Sequence, residues 1–134
     1  MRLTEDEKKA VILLRLNNAK QTLEDVKVIV DNELWKAAAN RLYYACFYAA
    51  SALMIKFDFE AKTHAGIIRL LGLNFTSKNL ISNELNDVYY KLFTLRQKSD
   101  YDDWIVVKAS DIEPLIEPAK RFIAEIEKLI NINS

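Results

Sequence analysis

Three short stretches of this 134-residue chain carry side chains that could do chemistry. They are Asn40-Arg41-Leu42-Tyr43-Tyr44-Ala45-Cys46-Phe47-Tyr48, then Lys62-Thr63-His64-Ala65-Gly66, then Leu95-Arg96 with Asp100, Tyr101, Asp102 and Asp103. A guanidinium held at a concave junction clamps a phosphate through two parallel N–H donors and stabilises charge in phosphoryl transfer, which makes Arg96 the leading candidate. His64 would sit in the first turn of a helix, where the dipole disfavours its cation and leaves a neutral acid–base group. Arg41, Tyr44, Tyr48, Lys62, Arg96, Asp100 and Asp103 form the candidate ligand-binding set, and Arg96, His64 and Tyr101 the candidate catalytic set.

Each stretch also has an ordinary explanation. Tyrosines fill cores with their hydroxyls reaching water, and a lone histidine is more often structural than catalytic. Arg96 and Asp100 have the i,i+4 spacing of a local ion pair, with Asp100 and Tyr101 positioned to hold the arginine. Yet Arg96 continues the phase of Leu85, Val88, Tyr89 and Leu92, which aims a cation along an otherwise apolar side.

The elements that must position these groups are helices. Thr4 and Glu7 have the spacing of a capping box, and Ile12, Leu16, Ala19, Leu23, Val26 and Val30 recur on one face, predicting a helix from about 5 to 31. Leu34 to about Phe57 is apolar around its axis except for a strip through Ala37, Arg41, Tyr44, Tyr48 and Ser51. Thr63 caps a short helix reaching about Leu71, which Gly72 and the Asn74–Ser77 segment end. A fourth helix spans roughly Ser82 to Lys98, and Ser99 to Lys108 reads as an irregular connection. Ser110 and Glu113 form a second capping box with Pro114 in the first turn, ahead of a stripe of Ile112, Leu115, Ile116, Ala119, Ile123, Ile126 and Ile130.

The expected fold is therefore all-α: an antiparallel up-and-down four-helix bundle with an additional short helix, one domain over residues 1–134. Composition agrees, with 51% hydrophobic residues and only two glycines and two prolines, too few for a turn-rich β-protein. The 19 basic and 19 acidic residues balance, so any contact with RNA must come from a local patch. One cysteine and one histidine exclude an internal disulfide and the familiar Cys/His metal sets, and neither a metal nor a cofactor is expected. The acidic start and the lack of a long uncharged run predict no signal peptide, no membrane span and a cytoplasmic protein.

In the order and content of the three stretches the chain resembles the HEPN family, small helical bundles often encoded beside minimal nucleotidyltransferases. The resemblance covers nearly the whole chain. It implies a homodimer that binds nucleotide or RNA and partners a minimal nucleotidyltransferase, as half of a toxin–antitoxin pair. It also implies an alternative: a metal-independent endoribonuclease in which an arginine late in the fourth helix, followed four to six residues on by a histidine, meets its symmetry mate across a dimer cleft. Arg96 matches that arginine, but the histidine positions hold Tyr101, Asp102 and Asp103, and a tyrosine that the partner modifies in a related branch is Asp103 here. An enzyme would then need His64 or Tyr101 in place of the missing imidazole. A third reading is a non-catalytic structural dimer with its polar strip satisfied internally.

Overall fold

The computed structural model describes residues 3–132. Among these, α1 spans Glu5–Asp31, α2 Trp35–Lys56, α3 His64–Asn74, α4 Asn83–Tyr101 and α5 Ala109–Ile132, with a single 3₁₀ turn at Thr76–Lys78 and no strand. The four long helices form the bundle, and α3 packs against α2 and α4. Lys8 meets Asp58 and Arg15 meets Ser51, so residue numbers rise along α1 as they fall along α2, the antiparallel arrangement.

The core follows the periodicity of the sequence. Ile12, Leu16, Ala19 and Val26 of α1, Leu85, Val88, Tyr89 and Leu92 of α4, and Ile112, Ala119, Ile123, Ile126 and Ile130 of α5 are buried, joined by Phe122. At the centre lies α2, whose Ala38, Ala39, Ala45, Ala49, Ala50 and Ala52 are completely buried. Side chains this small let α1 and α5 approach the α2 backbone closely, which fixes where the larger residues between them point.

Side chains cap helix starts at three places, the expected Thr4 and Thr63 and also Ser82. Thr4 Oγ1 accepts from Glu7 N while Glu7 Oε1 accepts from Thr4 N, Thr63 Oγ1 accepts from Gly66 N, and Ser82 Oγ accepts from Leu85 N. The fifth start differs from expectation. Because α5 begins at Ala109, Ser110 already lies inside it, and the first-turn acceptor is Asp111, whose Oδ2 takes the Lys108 N–H at 2.9 Å. Pro114 consequently falls in the helix interior with Pro118, one turn apart on the outer side. The carbonyls these prolines leave free lie there within reach of water.

Helix ends run later than the sequence suggests. Gly72 lies inside α3 without a positive φ, and α3 continues to Asn74, whose Nδ2 donates to Leu70 O. Likewise α4 continues through Asp100 to Tyr101. Three ends place a non-glycine residue in the left-handed region: Glu33 (φ 57°), Asp58 (φ 59°) and Asn79 (φ 59°). After each, the next N–H reaches back five residues, Leu34 to Ile29 O, Phe59 to Met54 O and Leu80 to Phe75 O, closing the six-residue loop that caps a helix C-terminus.

Candidate functional site

Packing of α4 and the start of α3 against α2 brings two of the three stretches, and the beginning of the third, to one place. Tyr43 is fully buried and its ring lies at the centre of the cluster, with Tyr44 beside it in edge contact at 5.1 Å between centroids. Arg96 reaches over both rings, its guanidinium carbon 4.8 Å from the Tyr43 centroid and 5.6 Å from that of Tyr44. Its Nη1 donates to Tyr44 Oη at 3.3 Å and to Asp100 Oδ2 at 3.1 Å, while its buried Nε has no hydrogen-bond partner. The continuation of α4 makes Arg96 and Asp100 neighbours on successive turns, so the ion pair is helical.

Tyr44 carries a second guanidinium. Arg41 lies 5.3 Å from the ring centroid, with Nε and Nη2 both donating to Asn40 Oδ1 at 3.0 and 2.8 Å. A neutral amide orients Arg41 without cancelling its charge, and among the described residues no carboxylate lies within salt-bridge distance of it. Tyr44 is thus flanked by two cations, of which Arg96 is paired with Asp100 and Arg41 with no carboxylate among the described residues.

His64 opens α3 and lies flat on Phe47, centroids 4.4 Å apart and planes 6° apart, and parallel to Tyr43 at 5.7 Å. Its Nδ1 and Tyr43 Oη are hydrogen-bonded at 2.5 Å. Burial, then the nearby Arg96 charge, hold the His64 pKa below its ordinary value, so the imidazole is neutral near pH 7. Burial pushes Tyr43 up to about 12, so the phenol keeps its proton. If that hydroxyl donates to Nδ1, the imidazole proton is on Nε2. In the other tautomer Nδ1–H donates to the phenol oxygen, and a lone pair on Nε2 is free to accept a proton.

The remaining candidates are placed elsewhere. Tyr101 is 84% exposed and, unlike Asp100, does not meet Arg96. Asp103 is exposed. Tyr48 continues the α2 strip, 6.2 Å from Tyr44 ring to ring. Lys62 lines a separate hollow with Ser51 and Arg15, a residue whose place in an amphipathic first helix gave no sign of such a role. Tyr43 was also missed as the hub, since one tyrosine among several in an apolar run carries no mark of which neighbours it will meet. Among the described residues no group of three or more His, Cys, Asp or Glu side chains is placed to hold a metal ion, and no helix is long and apolar enough to cross a membrane.

The HEPN domain model matches residues 12–129. The chain belongs to the HEPN family. A UPF0332 protein of Thermotoga maritima is 30% identical over 125 residues, which cover 93% of this chain and 95% of that one. Two proteins of Methanocaldococcus jannaschii named as putative toxins are also similar. One is 31% identical over 84% of this chain and 83% of its own length, the other 26% identical over 86% and 78%. This HEPN chain therefore matches these relatives, two of them named as putative toxins, over 78–95% of their length.

Proposed function

We propose that this HEPN protein is a toxin-type RNA-binding protein that takes a phosphate of its ligand between Arg41 and Arg96, beside the Tyr44 ring. The observation that carries this is the pair of guanidiniums 5.3 and 5.6 Å from one ring, of which only Arg96 has a carboxylate partner, Asp100. Two forked donors with excess positive charge suit a phosphodiester, and the aromatic faces suit an unstacked base. On this reading the protein acts in the cytoplasm as a homodimer and is restrained by a partner protein. The family resemblance makes that partner a minimal nucleotidyltransferase, and the relatives named as toxins support such a pairing. A single-stranded RNA titration read by fluorescence anisotropy tests it. Wild type should bind with a salt slope that falls by about 0.7 for each phosphate contact removed in Arg41→Ala or Arg96→Met. Equal affinity in all three proteins would remove the two arginines from the site.

A second reading, a metal-independent endoribonuclease, draws on the position of His64. Its neutral imidazole and Arg96 both meet Tyr43, which would set a proton acceptor beside a charge-stabilising cation within one protomer. Incubating the protein with total RNA and EDTA separates the readings. Cleavage lost in both His64→Ala and Arg96→Met supports the enzyme, and intact RNA with retained binding supports the binding module.

A further inference from the structure

A second group of unpaired cations lies two helical turns along α2 from Tyr44. Tyr44 and Ser51 are seven residues apart, about 10.5 Å along the axis and back to within about 20° of the same direction, with half-buried Tyr48 between them. At Ser51 the surface opens into a hollow of about 380 Å³ between α1, α2 and the 57–63 connection. Arg15 of α1 enters it half-buried, with Nη1 donating to Ser51 Oγ at 3.1 Å. Its other N–H donors meet no carboxylate among the described residues, and Lys62 on the opposite rim is likewise without an acidic partner.

An arginine held by a hydroxyl is oriented but not neutralised. Ser51 Oγ still has its own proton to give, so the hollow is lined by three donor side chains, those of Arg15, Ser51 and Lys62. The floor is apolar, formed by Met54 and Phe59 among others, and Glu60 stands at the edge. Inorganic phosphate would use the cations and leave the rest idle. A nucleotide uses all of it: phosphate on Arg15 and Lys62, base against the Phe59 side, ribose hydroxyl to Glu60. Past Phe59 the neighbouring hollow is lined by Glu5, Asp58 and Glu60, with Lys8 already paired to Asp58, so a phosphate chain finds no continuation there.

We propose that the hollow holding Arg15, Ser51 and Lys62 is a second phosphate subsite, so that one RNA strand runs along the α2 strip from Arg41 and Arg96, over Tyr48, to Arg15 and Lys62. This rests on the RNA-binding reading of the first site and adds to it a direction, a second anchor and an end. It also gives roles to Tyr48 and Lys62, which the Arg96 cluster does not use.

Affinity for a ladder of labelled oligoadenylates, from dimer to octamer, tests it by anisotropy on the intact protein. For wild type, affinity should climb with length until the strand spans both subsites and then level off. Arg15→Ala and Lys62→Glu should keep the affinity for the shortest oligomers and lose the climb. Their loss on long ones should be on the order of ten- to a hundredfold, the range for a hydrogen bond to a charged group. Lys62 is exposed, so Lys62→Glu reports on the subsite even if Arg15→Ala unfolds α1. An unchanged climb in the Lys62→Glu protein, or in folded Arg15→Ala protein, overturns the second subsite while leaving the first intact. No binding of any oligomer by wild type overturns the first reading, and the second with it.

Discussion

Replacing Arg96 by methionine should silence the first site while leaving the chain folded. The side chain is only 13% exposed, and a cation so placed would ordinarily be expected to hold the structure together. What it gains in place is the sum of modest interactions. The face-on contact with two rings contributes up to about 2 kcal/mol, the helical pair with Asp100 about 0.3–0.5 and the bond to Tyr44 Oη about 1. Against these stands the buried Nε without a partner, which costs about 1–3 kcal/mol. Methionine keeps the apolar stem, ends the Nε desolvation and leaves Asp100, itself 38% exposed, able to turn to water. The net loss should stay below about 2.5 kcal/mol. An unfolding entropy of about 2.1 cal/mol/K per residue makes 1 kcal/mol about 4 °C in Tm for a chain of this length. Thermal unfolding followed by circular dichroism measures that. The same variant removes one of the two causes that lower the His64 pKa, so an NMR titration of the single histidine should show it moving up. A Tm loss beyond about 10 °C would show Arg96 to be a structural tie, and an unmoved histidine titration would break the link between Arg96 and His64.

Acid stability should carry the mark of His64. Its folded pKa lies below the ordinary 6.5, so the unfolded chain takes up the proton first as pH falls; this contribution is complete above about 6.5 and is lost on descending toward the folded value. Urea midpoints across that window should slope in wild type and flatten in His64→Gln; parallel curves would count against a depressed pKa. Tyr43→Phe keeps the buried ring and removes the hydroxyl bonded to His64, a loss of about 1 kcal/mol and, from the same entropy, about 4 °C in Tm; no change would place that bond in the unfolded-state background. Glu33→Gly should raise the urea midpoint by the equivalent of about 0.5–1 kcal/mol, since φ is 57° at a helix end that glycine fills without strain. A lower midpoint would mean that the Glu33 side chain contributes more than its backbone costs. Ser99→Ala should also stabilise, by about 1 kcal/mol, because Ser99 is 4% exposed and its Oγ has no partner; a destabilised variant would point to a water held there.

Helices and their buried faces were legible because apolar residues recur at 3.6-residue spacing, a signal the long helices repeat five or more times. Helix ends were not, for a physical reason particular to this chain. It has two glycines and spends both inside α3, so its left-handed caps fall on Glu33, Asp58 and Asn79; glutamate does not announce such a conformation, and the Asp and Asn types that favour it recur all along the chain. The irregular reading of Ser99–Lys108 put Asp100 outside the helix, whereas it lies in α4, and its ion pair with Arg96 is the one the i,i+4 spacing implied. Of the candidate site, the phase of α4 pointed Arg96 inward. What periodicity could not supply was its partners, because whether α3 starts over α2 or away from it depends on the 57–63 connection. His64 reaches Tyr43, and Lys62 reaches the Arg15 hollow, through that connection alone.

The inner side of α4 argues that this surface was not shaped by stability alone. Asn86 Oδ1, Arg96 Nε and Ser99 Oγ are buried without a hydrogen bond, three such atoms on one helix. Each such group costs on the order of 1–3 kcal/mol, and leucine at these positions would pack against α2 and α5 without that cost. A helix that keeps three of them carries polar groups into an apolar bundle, among them the Arg96 that lies against Tyr43 and Tyr44. Strain and unsatisfied groups persist where a site needs them, since optimising the packing would remove the chemistry. On the proposed reading, the arginine stays only half neutralised by its own chain, and the phosphate of a bound strand supplies the acceptors that the fold withholds.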